Sequence, residues 1–110
     1  GNNANVLHYL ENNRACNDGD LILMDVAAEY ANYSSDLTRT IPVNGKFTKR
    51  QKEVYNAVLR VKDDATKMLV PGTLWAEYHK ECGKLMTSEL FNLMANIPIL
   101  AEEIEELMNK

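Results

Sequence analysis

Two aspartates set the chemical question. Asp25 interrupts an apolar run, with Leu21-Ile22-Leu23-Met24 before it and Val26-Ala27-Ala28 after it. Asp36 follows eleven residues later, again beside small or apolar neighbours. Facing residues on adjacent antiparallel strands share a constant index sum. If Asp25 faces Asp36 that sum is 61, and the turn centres between Tyr30 and Ala31, inside "YANY". Cβ atoms of such a pair lie about 4.5–5.5 Å apart. Two carboxylates that close, in a low-dielectric sheet, repel and are poorly solvated. They can share a proton, pair with a cation such as Arg39, or bind a metal. Arg39 has the opposite parity to Asp36 along its strand and should point to the other face. A hard divalent cation with oxygen ligands is the natural remaining partner. Spacing alone leaves a plainer alternative open, in which both are strand-end residues bonded to backbone or water.

The elements that must position these residues are readable in outline. Residues 4–10, "ANVLHYL", read as a short strand, and "ENNRACNDGD" as a loop rich in Asn, Asp and Gly. Residues 21–29 are apolar on both faces, which suits a central strand covered on both sides. "YANYSS" reads as a turn. Residues 36–43, "DLTRTIPV", alternate and are rich in β-branched types, which makes a second strand with Pro42 at its end or at an edge. The period then changes. Thr48 and Gln51 form a capping-box pattern, and Val54, Val58, Val61, Ala65 and Met68 recur at helical spacing. Pro71-Gly72 stops that helix. Thr73 is placed to cap a second helix, with Leu74, Tyr78, Cys82, Leu85 and Met86 on one face. Trp75, Tyr78 and Met86 read as core, and His79 as a solvated helix residue. A third helix is expected from Pro98, with Ile99, Leu100, Ile104 and Leu107 apolar and Glu102, Glu103, Glu105 and Glu106 facing water. Strands first and helices after is the α+β class.

Bulk properties narrow the function classes. The 110 residues amount to one small domain, with strands over about 4–43 and helices over about 48–110. A net charge of -4 with no basic cluster argues against nucleic acid and against an anionic membrane surface. No apolar run approaches the roughly 20 residues that span a bilayer. No secretory signal opens the sequence. The two cysteines, Cys16 and Cys82, have no metal-ligand spacing and read as free thiols in a reducing, cytoplasmic setting. The start at Gly1 and the end just after a helix give the look of a piece of something longer.

The strings "NVLHY", "DGDLILMDVAAEYANYSSDLTRTIPVNGKFTKRQKEVYNAVL" and "VPGT" strongly resemble the Xaa-Pro aminopeptidases (aminopeptidase P), which are pita-bread metallopeptidases. The likeness runs from Gly1 to about Leu90. It rests on the His8 to Asp25 spacing, the Asp25 to Asp36 spacing and "SDLTRTIPVNGKF". It implies the N-terminal half of a pita-bread catalytic domain. The family site holds two divalent metals, commonly manganese, through two aspartates, one histidine and two glutamates. By resemblance the aspartates are Asp25, which bonds one metal, and Asp36, which bridges both. His8 would line the substrate pocket without binding metal. The implied reaction removes an N-terminal residue that precedes proline, from a proline-containing peptide substrate.

The resemblance also marks what is missing. The ligand histidine and both ligand glutamates of the family fall after the helices, and no residue of this sequence takes their place. His79 does not sit in the family's glycine-flanked histidine motif, and the glutamates at 102 to 106 belong to a helix. With three of five ligands absent, the chain alone is expected to bind no metal and to be inactive. The rival expectation is a non-catalytic scaffold or interaction module, natural or engineered, that keeps the half-fold. Removing half of a sheet exposes an edge and an apolar flank, so a homodimer is also expected.

Overall fold

A computed structural model of the chain describes residues 3–95. The chain divides into two compact units, Gly1–Thr48 and Lys49–Lys110. Strands fill the first and helices the second, so the α+β class holds.

In the first unit, β1 (Leu21–Val26) pairs antiparallel with β4 (Leu37–Pro42), and β2 (Glu29–Tyr30) pairs with β3 (Tyr33–Ser34). One register governs both pairs. Leu21 faces Pro42, Asp25 faces Thr38 and Tyr30 faces Tyr33, so every index sum is 63. The bond from Val43 N–H to Asp20 O, 2.9 Å, carries the same register outward. The two short ladders are therefore one hairpin, interrupted at Ala27-Ala28 on one side and Ser35-Asp36 on the other. Its turn is Ala31-Asn32, whose φ values of 52° and 68° both lie in the left-handed region. That is the two-residue turn whose twist matches the strands it joins. Asn32 N–H also donates to Glu29 Oε1 at 2.6 Å. At the far end, Gly19 adopts φ 85°, and Asn44 Nδ2 donates to Asp18 Oδ1 at 2.7 Å.

Two expectations fail in this unit. Residues 4–10 form no strand: 4–8 are turns and bends, with Val6 N–H bonded to Asn3 O at 3.0 Å, and 9–10 are irregular. A strand needs a neighbour to take its backbone groups, and residues 4–10 pair with none of the four strands described. Nor is β1 covered on both faces: Leu23 and Val26 are 48% and 53% exposed. Pro42 does close β4, as its missing N–H requires.

In the second unit, α1 (Lys49–Met68) begins directly after Thr48 and packs against α2 (Trp75–Ala95). The buried stripe on α1 is Ala57, Val61 and Ala65, one residue per turn. Val54 and Val58, expected on that face, are exposed. The apolar surface of α1 is wider than one neighbouring helix covers, and the small Ala57 and Ala65 permit the closest approach. Trp75 is also exposed, stacked on Tyr78 with ring centroids 5.4 Å apart, and Tyr78 and Met86 are half-buried. Arg60 grips Glu89 with two parallel bonds, Nε to Oε1 at 2.8 Å and Nη2 to Oε2 at 2.6 Å. The guanidinium holds the Glu89 carboxyl below its ordinary value, chiefly through that hydrogen bond. Gly72, at φ 93°, makes the turn between the helices. The Thr73 hydroxyl works backwards: it donates to Met68 O at 2.9 Å, closing the end of α1, while Leu74 O accepts the first bond of α2 from Tyr78 N–H. The expected third helix lies outside the described residues.

Candidate metal centre

The ladder decides where the aspartates stand. Pairs that exchange backbone bonds alternate with pairs that do not. Val43 with Asp20 and Ser35 with Ala28 are bonded, so the pairs between them at even positions of the first strand are bonded too. Asp25 and Thr38 therefore form a non-bonded pair, the kind with the closest side chains. One face of the hairpin carries Leu21, Leu23, Asp25, Thr38 and Thr40; the other carries Ile22, Met24, Val26, Leu37, Arg39 and Ile41.

Asp36 lies just before β4, two residues from Thr38. Continued one residue past β4, the strand's alternation would carry it to the face of Asp25. The expected index sum of 61 is corrected to 63, because the turn residues are Ala31-Asn32 and not Tyr30-Ala31. Counted along the same register, Asp36 is a diagonal rather than a direct neighbour of Asp25. Diagonal neighbours stand about 7–8 Å apart, a span that two short carboxylates and an interposed cation can bridge. Asn32 was the available signal, since Asn tolerates the left-handed region better than Tyr or Ala.

Both aspartates are exposed. Among the described residues neither side chain makes an ion pair or a hydrogen bond. Arg39 stands on the other face, and its Nη1 donates to Thr38 O at 2.7 Å. His8 sits outside the hairpin ladder in an exposed turn, with φ 55°. His79 is exposed on α2. Both cysteines are free thiols, Cys16 exposed and Cys82 half-buried.

The donor set suits a hard divalent cation in kind: two carboxylates with which no protein cation is paired among the described residues. In number it is partial. Among the described residues no group of three or more His, Cys, Asp or Glu side chains is arranged to hold a metal ion. Also among the described residues, no helix is long and apolar enough to cross a membrane.

One residue that spacing did not single out lies between the aspartates. Ser35 Oγ accepts from Ala28 N–H at 2.9 Å and lies 3.2 Å from Ala28 O, to which it donates. Ser35 N–H also bonds Ala28 O, at 2.9 Å.

Comparison with known proteins places the chain in a family. The signature of Metallopeptidase family M24 matches residues 1–104. The chain is 46% identical over 93 residues to the Xaa-Pro aminopeptidase of Haemophilus influenzae, covering 84% of this chain and 22% of that protein. It is 42% identical over 108 residues to the Xaa-Pro aminopeptidase of Escherichia coli, covering 98% of this chain and 24% of that one. The chain therefore spans less than a quarter of the length of these relatives. In three dimensions it resembles part of a histidine-to-alanine variant of Escherichia coli aminopeptidase P. The TM-score is 0.75 at 40% identity, covering 94% of this chain and 23% of that one. A signature match along nearly the whole chain, joined to the same α+β arrangement of strands and helices, means that the chain belongs to the M24 metallopeptidase family.

Proposed function

We propose that residues 1–110 are the part of an Xaa-Pro aminopeptidase catalytic domain that contributes two metal-binding aspartates, Asp25 and Asp36. What supports this reading is the register: Asp25 stands opposite Thr38, Asp36 lies two residues before Thr38, and neither aspartate is paired with a protein cation among the described residues. Bound between them and ligands from elsewhere, two divalent ions, manganese by family resemblance, would acidify a water and polarise a scissile carbonyl. The chain's own share is to hold two carboxylates on one hairpin face and to offer His8 toward the substrate. The substrate is a peptide with proline in second position. The free thiols Cys16 and Cys82 suit a cytoplasmic setting.

Asp25 and Asp36 are two of the five ligands that the family resemblance implies, so the chain alone is expected to bind metal weakly and to lack peptidase activity. Manganese added to the labelled chain broadens nearby amide signals even at millimolar affinity. Broadening should centre on Asp25, Asp36 and Thr38, and vanish in Asp25→Asn and Asp36→Asn. Equal broadening at every surface carboxylate, or chelator-sensitive turnover of an Xaa-Pro peptide by the chain alone, refutes the reading.

The exposed Leu23, Val26, Leu37 and Ile41 on the hairpin, and Val58, Leu90 and Phe91 on the helices, favour one further element, a homodimer. Light scattering across the micromolar range tests it. A monomer mass throughout rejects it.

A further inference from the structure

We propose that Ser35 is a positioning residue: its hydroxyl, bonded to both backbone groups of Ala28, fixes the step at which the hairpin ladder opens and so sets Asp36 diagonal to Asp25. The inference deepens the metal-site reading and rests on it. In a regular antiparallel ladder, Ala28 and Ser35 would exchange two backbone bonds. Only one is present, from Ser35 N–H to Ala28 O. The reciprocal bond is rerouted, because Ala28 N–H donates to Ser35 Oγ. The hydroxyl returns its own proton to Ala28 O. A side chain thus replaces one rung while the index sum of 63 continues on both sides. The strands part here without gaining or losing a residue, and Asp36 is the next residue along. A one-residue slip at this step would send Asp36 to the other face. A hydroxyl that locks Ala28 against Ser35 prevents the slip.

Ser35→Thr and Ser35→Val test the idea, since the two replacements match in shape and strand preference and differ in the hydroxyl. The 110-residue chain is labelled for NMR. Threonine should keep the wild-type pattern. Valine should speed exchange of the Ala28 amide about fivefold, the usual consequence of one lost hydrogen bond. It should also abolish cross-strand NOEs between Ala27 and Asp36, and scatter the manganese broadening that wild type concentrates at Asp25 and Asp36. The Ile22 and Ile41 amides should stay protected in both. Valine behaving like threonine overturns the proposal. So does valine stripping protection from Ile22 and Ile41 as well, which would make Ser35 a support of the whole hairpin. If wild type shows no localised broadening, the metal reading fails alone, and the Ala28 exchange and the NOEs still decide the role of Ser35.

Discussion

Val58 and Val61 offer a controlled comparison on one helix. Both are valines in the middle of α1, but Val61 is 7% exposed and Val58 is 48% exposed. Replacing either with alanine removes the same atoms and raises helix propensity by the same amount, about 0.5 kcal/mol. At Val61 the lost burial is about 0.8 kcal/mol for each of two carbon groups. A partly collapsed cavity adds to that, so Val61→Ala should cost about 1–2 kcal/mol net. At Val58 roughly half of the transfer applies and water fills the space, which leaves a net cost of about 0–0.5 kcal/mol. Urea unfolding followed by far-UV circular dichroism measures both. The midpoint should fall for Val61→Ala with the slope unchanged, and barely move for Val58→Ala. Equal costs would refute the packing described for α1. A larger cost at Val58 would show that this flank is covered in solution, and the chain's mass would then be expected to exceed that of a monomer.

Two further perturbations test other contacts. In the Arg60–Glu89 pair the glutamate's folded pKa lies below its unfolded value of about 4.5, so the stabilisation is complete above that value and is lost as pH falls through the depressed one. Glu89→Gln should therefore lower the urea midpoint at neutral pH and flatten its decline with acid, the two curves converging at low pH; parallel curves would refute the linkage. At the hairpin turn, Ala31 holds φ 52°, a conformation that costs a non-glycine residue about 1–2 kcal/mol. Ala31→Gly should recover part of this, about 0.5–1 kcal/mol after the unfolded chain's added freedom, and slow exchange of the amides near Tyr30 and Tyr33; faster exchange would count against the turn geometry.

The sequence was most informative where one residue type meets one local demand. The hairpin, the stop at Pro71-Gly72 and the start of α1 after Thr48 were legible for that reason. The buried stripe of α1 was not, because apolar residues occupy two flanks of that helix and only packing selects between them. The Arg60–Glu89 grip joins residues 29 apart, and no local pattern announces it. Residues 4–10 have a strand's composition, but pairing belongs to the sheet and not to the segment. The aspartates show how a register error acts on chemistry. A slip of one residue would have put Asp25 and Asp36 on opposite faces. The correction from 61 to 63 is a slip of two, which preserves parity and changes only spacing. Facing carboxylates would have been forced together, with joint ionisation opposed. Diagonal ones would leave room for a cation between them, so the corrected register stays compatible with the proposed metal site.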